Sequence, residues 1–278
     1  MQLWQWRQQQ RQHYPHLASQ LDALLREACA WSPLDDLCQR HPPACDLAHL
    51  DHLWQRHCQE GIPIPYLLGR VTWRGMGLRV SPAVLIPRPE TELLVDLALD
   101  WLGSQKSQGP WVDLGTGSGA LALGLAQRVR RVYAVDISPA ALAIAQHNIH
   151  THQLAQRIQC RLGHWFAPLA DLQGSLQGMV ANPPYIPTGA LGDLEVSVRD
   201  YEPHLALDGG EDGLVAIREL IQAAPHYLQP GGFWAVEVMA GQAGTVAQLL
   251  QESGHYQQIT ITPDLAGIPR FVSAVTCS

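Results

Sequence analysis

Lysine is almost missing from the chain. Lys106 stands alone beside 17 arginines, and 25 acidic residues leave a formal net charge of −7. A protein that mainly grips a nucleic-acid backbone favours a basic face, so this balance argues against direct nucleic-acid binding and leaves room only for a local basic patch. No uninterrupted apolar run approaches the roughly 18 residues of a membrane span, and we expect no membrane association. The opening residues, MQLWQWRQQQRQ, lack the hydrophobic segment of a secretory signal, so we expect none. They suit either a mobile lead-in or the first turn of a helix. The six cysteines, at 29, 38, 45, 58, 160 and 277, include no CxxC pair and no dense framework. We read all six as reduced thiols of a cytoplasmic protein. Cys45, His49, His52, His57 and Cys58 are metal-capable, but their spacing matches no zinc pattern, and we assign no metal.

What is present suits a large core. Of 278 residues, 46% are hydrophobic and 15% charged, which predicts one large or two unequal domains. Residues 1–70 read as a small helical unit. Leu17, Leu21, Leu24, Leu25 and Ala28 form one apolar stripe at helical spacing, and Leu47, Leu50, Leu53 and Trp54 form another. Trp4, Trp6, Trp31 and Trp54 are candidate core anchors, with a partner-binding role open for Trp4 and Trp6. Ser32-Pro33 and His41-Pro42-Pro43 punctuate the segment as turns. Residues 71–88 alternate polar and apolar around Gly75 and Gly77 and predict a β-hairpin linker.

From residue 89 to the end, β-rich runs alternate with helical stretches. The runs are 111–114, 131–136, 158–162, 179–182, 233–238, 258–262 and 271–276. Helical stretches fall at 91–102, 119–128, 139–150 and 213–228. This alternation predicts an α/β fold with a parallel, doubly wound sheet. The connection between the last two strands is too short for a crossover helix, so the last pair is expected to be antiparallel.

The strongest local feature is Val112-Asp113-Leu114-Gly115-Thr116-Gly117-Ser118-Gly119, between a predicted strand and a predicted helix. Glycines there permit tight turns and close backbone approach to a ligand. GxGxG is one residue short of the dinucleotide GxGxxG, and by itself it also suits a plain strand–helix turn. Asp136 ends the next strand, where a carboxylate can accept hydrogen bonds from both ribose hydroxyls of an adenosine-containing ligand. Asn182-Pro183-Pro184-Tyr185 follows a later strand at the same sheet edge. Prolines fix this backbone, so the Asn182 side-chain carbonyl and the Pro183 backbone carbonyl can converge on one NH2 group. Two acceptors match its two donors, and Tyr185 offers a flat face. Such a cradle orients a planar nitrogen toward an electrophilic methyl group without a strong base. Glu90 and Glu92 read either as paired carboxylates or as acids in a helix first turn.

In this order, VDLGTGSG, AVDIS, GHWF and NPPYI resemble the glutamine-N(5) methyltransferases of peptide-chain release factors. Pro65-Tyr66-Leu67-Leu68-Gly69, Ile86-Pro87-Arg88-Pro89-Glu90-Thr91-Glu92, Leu207-Asp208-Gly209-Gly210 and Asp264-Leu265-Ala266-Gly267 extend the resemblance over roughly residues 60–275. It implies a Rossmann-like, seven-stranded methyltransferase domain over 89–278, a helical substrate-docking domain over 1–70, and the hairpin between them. The implied cofactor is S-adenosylmethionine. The implied partner and substrate is a class 1 release factor, methylated on the glutamine of its Gly-Gly-Gln motif, with the enzyme expected to be a monomer. By this resemblance Gly115, Thr116, Gly117 and Gly119 line the cofactor site, Asp136 takes the ribose hydroxyls and Trp165 lies near the adenine. Asn182, Pro183, Pro184 and Tyr185 hold the substrate amide, and Arg88, Pro89, Glu90 and Thr91 form its wall or lid. Where the family usually has an acidic residue before Trp-Phe, this chain has His164. Ile268-Pro269 replace a frequent charged pair before Arg270, and the stretch from Glu237 to Gln242 lacks a frequent aromatic. NPPY is shared with adenine-N6 nucleic-acid methyltransferases, which makes that activity one alternative. A non-catalytic methyltransferase-like binding module is another.

Overall fold

The Gln-rich start is helical. In a computed structural model, which describes residues 3–29, 31, 45–103 and 109–277, α1 spans Leu3–His13. Long-range hydrogen bonds tie it down. The Trp6 indole donates to Asp51 at 2.7 Å, and the Trp54 indole donates to Gln10 at 3.1 Å. Helix α2 (Ala18–Cys29) buries Leu21, Leu24 and Leu25 on one face. Asp46 caps α3 (Leu47–Glu60) by accepting from the N–H groups of Ala48 and His49, and left-handed Gly61 ends it. With α4 (Ile64–Leu68) these helices close a small core around Trp6, Trp31 and Trp54. Trp4 stands 56% exposed, so it is not one of the anchors.

One expectation is corrected here. Cys29 and Cys45 are joined in a disulfide rather than standing as free thiols. Cys29 ends α2 and Cys45 precedes α3, and packing of those helices brings the two Cα atoms to 5.7 Å, within bridging range. Sequence spacing carries no trace of that approach. Cys58, Cys160 and Cys277 are free. Cys38, Ser32-Pro33 and His41-Pro42-Pro43 lie outside the described residues. Among the described residues no cluster of three His, Cys, Asp or Glu side chains is placed to hold a metal, and no helix is long and apolar enough to cross a membrane.

Strands β1 (Arg70–Trp73) and β2 (Met76–Arg79) form the hairpin around left-handed Arg74 and Gly75, as a two-residue turn requires. Pairing stops at Arg79, shorter than the expected span to 88. The partner strand has run out at that point, because Arg79 pairs with Arg70 and the residue before it, left-handed Gly69, ends α4. Glu92 accepts from the turn N–H of Arg74 at 2.8 Å, fastening the hairpin to α5 (Glu92–Gly103).

The main sheet holds β3 (Trp111–Leu114), β4 (Val132–Asp136), β5 (Ile158–Leu162), β6 (Leu176–Ala181), β7 (Leu228–Glu237), β8 (Tyr256–Pro263) and β9 (Pro269–Thr276). Their order is β5-β4-β3-β6-β7-β9-β8. The first five are parallel, and β9 runs antiparallel to both β7 and β8. Every residue of β3, β4 and β6 is buried, the pattern of strands covered on both faces. Helices α5, α6 (Ala120–Leu125) and α7 (Pro139–Thr151) pack one face. Beyond the short α8 (Val196–Arg199), α9 (Val215–Ala223) and α10 (Ala243–Ser253) pack the other. The helix expected over 213–228 divides, because Pro225 sits in a separate 3₁₀ turn before β7 begins at Leu228. Strand order reverses between β3 and β6, and the crevice beyond that reversal is where open α/β sheets bind ligands.

Candidate active site

A cavity of about 690 Å³ opens at this reversal. Gly115, Thr116, Gly117, Asp136, Trp165, Thr91, Asn182 and Pro184 all line it. The glycine loop and the Asn-Pro-Pro-Tyr turn, far apart in sequence, therefore face one space. Gly119, Pro183, Tyr185, Arg88, Pro89 and Glu90 are not in its wall.

The loop's shape depends on what it meets. Gly115 has φ 73, and a Cβ there would come within 3.3 Å of the Trp165 ring. Gly117 has φ 53, and a Cβ there would meet nothing within 4 Å, so the backbone offers a bare surface to the cavity. Gly119 lies underneath and starts α6. Asp113, within β3, holds the loop from below. Its Oδ2 accepts from the Thr116 hydroxyl at 2.6 Å and from the Ala122 N–H at 3.0 Å. Its Oδ1 is buried without a hydrogen-bond partner, and burial pushes this carboxyl up to about 7.

Asp136 ends β4. Its Oδ2 accepts from the Gly117 N–H at 2.8 Å and its Oδ1 from the Ser138 N–H at 2.9 Å. Burial pushes the carboxyl up, against those bonds. The N–H groups of Gly117, Ser138 and Ile137 all support this carboxylate, and a carboxylate has about four acceptor sites, so it can still accept from a diol where it meets the cavity. Trp165 forms the wall beside Gly115 from a left-handed backbone at φ 42. Next to it, His164 Nδ1 lies 3.3 Å from Glu219 Oε1 of α9, and both residues line the cavity. The bare glycine surface, the two-acceptor carboxylate and the aromatic wall fit a nucleoside-bearing cofactor.

Asn182 follows β6. Its Nδ2 lies 3.3 Å from the Thr91 hydroxyl, which donates to Glu237 Oε2 at 2.6 Å. The Tyr185 hydroxyl donates to Glu237 Oε1 at 3.2 Å. Burial and the Glu237 charge both push the Tyr185 phenol up. Burial also raises the Glu237 carboxyl, while Thr91, Tyr185 and nearby Arg270 pull it down. The Gln242 side chain donates to the Tyr185 carbonyl at 2.9 Å and accepts from the Met239 N–H at 3.0 Å, fixing the end of the turn.

Arg88 turns from the cavity to Glu202, at 2.7 Å. Glu202 is 3% exposed and its other oxygen is unpartnered. The pair joins the proline-rich segment to the stretch whose residues Pro203, His204, Leu205 and Ala206 line the cavity. Pro89 and Glu90 are exposed. Glu90 and Glu92 do not work as a pair, since Glu92 is turned to the hairpin.

Sequence reasoning did not assign Glu237, Gln242, Asp113 or Glu219. For Asp113 and Glu237 a signal existed: each is an acid inside an apolar strand, and each strand ends at the ligand edge. For Gln242 and Glu219 there was none.

Comparison with known proteins bears on the family and the fold. Residues 91–195 match the methyltransferase small domain family. A release factor glutamine methyltransferase of Synechocystis sp. is 53% identical over 230 residues, covering 81% of this chain and 77% of that one. One of Thermosynechococcus vestitus is 45% identical over 263 residues, covering 92% and 90%. The solved hMettl16 catalytic domain, in complex with the MAT2A 3'UTR hairpin 6, superposes with a TM-score of 0.59 at 14% identity, covering 73% of this chain and 76% of that one; that likeness concerns the fold alone. Its identity with these relatives over most of its length makes the chain a member of the release factor glutamine methyltransferase family.

Proposed function

We propose that the protein transfers a methyl group from S-adenosylmethionine to the side-chain amide nitrogen of a protein glutamine, that of the Gly-Gly-Gln motif in class 1 release factors. One observation carries the reading. Asn182 and Pro184 line the same cavity as Gly117 and Asp136, so an amide acceptor and a nucleoside cradle share one space.

When bound, the cofactor supplies a methyl group on a sulfonium centre. Asp136 accepts the ribose hydroxyls, the Gly115–Gly117 backbone admits close approach, and Trp165 flanks the adenine. Asn182 Oδ1 and the Pro183 carbonyl accept the two N–H groups of the glutamine amide. That contact orients the nitrogen and raises its electron density, which planar delocalisation otherwise withholds. The nitrogen would gain the methyl carbon as the carbon–sulfur bond breaks, which would leave a neutral thioether, and its surplus proton would pass to water in the open cavity. Tyr185, held by Glu237 and Gln242, keeps the turn in shape. The helical segment before the hairpin docks the body of the release factor, with exposed Trp4 as a contact. The enzyme acts in the cytoplasm as a monomer and needs no direct hold on nucleic acid.

Replacing Asn182 tests the site. Asn182→Ala removes an acceptor aligned on the reacting nitrogen, so turnover falls about 100-fold or more, the scale of removing one preorganised partner. Cofactor affinity stays within about 3-fold. Equal loss of both would remove Asn182 from the assigned role.

A further inference from the structure

We propose that Glu237 and Thr91 are positioning residues that set which end of the Asn182 amide faces the substrate. The inference rests on the amide-cradle reading above and deepens it.

An Asn side chain has two ends of similar shape, a carbonyl that accepts and an NH2 that donates. Only the carbonyl end can receive a substrate NH2. If the group were turned over, donor would face donor, and the cradle would repel what it should hold. Something must therefore choose the orientation, and hydrogen-bond partners are what choose it.

The partners form a chain of fixed polarity. Glu237 is 2% exposed. Its two oxygens each receive a hydroxyl, from Thr91 at 2.6 Å and from Tyr185 at 3.2 Å. As a carboxylate it can only accept. The Thr91 hydroxyl has one proton, and Glu237 takes it. Toward Asn182, 3.3 Å away, the Thr91 oxygen can then only accept. It must be met by the NH2 end, which leaves Asn182 Oδ1 free to receive the substrate amide. The polarity of a carboxylate on β7 is thus passed through one hydroxyl to the far end of an amide after β6. Thr91 is 4% exposed, so its own side of the link is largely shielded from water. The Tyr185 bond ties the other side of the same turn to the same carboxyl group, so one buried side chain governs both.

Glu237→Gln tests the polarity with little change of shape. A glutamine amide can donate to the Thr91 oxygen, which frees the Thr91 proton to seek Asn182 Oδ1 and turns the cradle over. Thr91→Val deletes the relay, and Thr91→Ser restores it with one methyl fewer. The measurements are the single-turnover rate of methyl transfer to a purified release factor, the cofactor Kd, and the side-chain ¹⁵NH2 signals of Asn182, identified by their loss in Asn182→Ala. Glu237→Gln and Thr91→Val are expected to lower the transfer rate about 10- to 100-fold, the cost of misplacing a reacting group. Cofactor Kd stays within about 2-fold, and Thr91→Ser stays within about 3-fold of the native rate. In the Thr91→Val protein the Asn182 NH2 signals shift and exchange faster with water.

A double-mutant cycle separates this role from general support. If Thr91 acts through Asn182, Thr91→Val costs under about 2-fold once Asn182 is alanine. A full loss in that background overturns the inference, as does an unchanged rate in Thr91→Val or Glu237→Gln. Should the valine variant not fold, Thr91→Ser and Glu237→Gln still decide the matter: a serine variant as slow as Glu237→Gln overturns it. An Asn182→Ala enzyme with native turnover would instead overturn the cradle reading beneath it, a distinguishable failure.

Discussion

The backbone N–H of Gly117 donates to the Asp136 carboxylate at 2.8 Å, tying the glycine loop after β3 to the end of β4. The bond gives Asp136 a double part: it shapes the loop and presents acceptors to whatever the loop admits. Asp136→Ala is expected to raise the cofactor Kd about 10- to 100-fold, the worth of one or two hydrogen bonds to a charged group. Turnover at saturating cofactor should fall much less. Calorimetric titration beside steady-state kinetics checks this. Unchanged binding would take Asp136 out of the cofactor site.

Asp113 predicts a pH dependence of stability. Its carboxyl has an ordinary value of 3.8 and is pushed up to about 7 by burial. The folded chain therefore holds this proton more tightly than the unfolded chain. The stabilisation is complete below the ordinary value and fades as pH rises toward about 7, by up to a few kcal/mol. Asp113→Asn has no such proton. The melting temperature of the native protein minus that of Asp113→Asn should be more favourable at pH 5 than at pH 8. A constant difference would show that Asp113 titrates at its ordinary value.

Arg88 is the one described partner of a buried carboxylate, Glu202, at 2.7 Å. Arg88→Ala strands that charge and is expected to cost about 2–3 kcal/mol, below the full penalty of a buried pair because Arg88 is itself partly exposed. Arg88→Met combined with Glu202→Gln removes the charge too and should recover most of the loss. Urea denaturation midpoints at constant slope measure both. Equal destabilisation of the single and double variants would contradict the account.

The parts of the site legible in the sequence were those written locally. The glycine loop sits between a strand and a helix, Asp136 ends the next strand, and Asn182 follows β6. Strand alternation alone placed all three at one edge of the sheet. The antiparallel final pair was legible from the short connection before β9. What was not legible depends on contacts between distant segments. Thr91 and Glu237 are 146 residues apart, and no spacing rule joins them. The Cys29–Cys45 bridge depends on how α2 and α3 pack. The hairpin ran shorter than its alternating pattern, because its first strand begins only at Arg70, after the left-handed Gly69 that ends α4, and nothing is left to pair beyond Arg79. The helix over 213–228 broke at Pro225, which lacks the N–H that a helix interior uses.

Methyl transfer from labelled S-adenosylmethionine to a purified class 1 release factor tests the central claim most directly. The comparison substrates are the same factor with its Gly-Gly-Gln glutamine changed to alanine, and a DNA duplex. The account predicts label on the native factor alone. Label on the alanine variant would place the methyl group elsewhere in the protein. Label on DNA would transfer the amine cradle of Asn182 from a glutamine amide to an adenine, and would contradict the account.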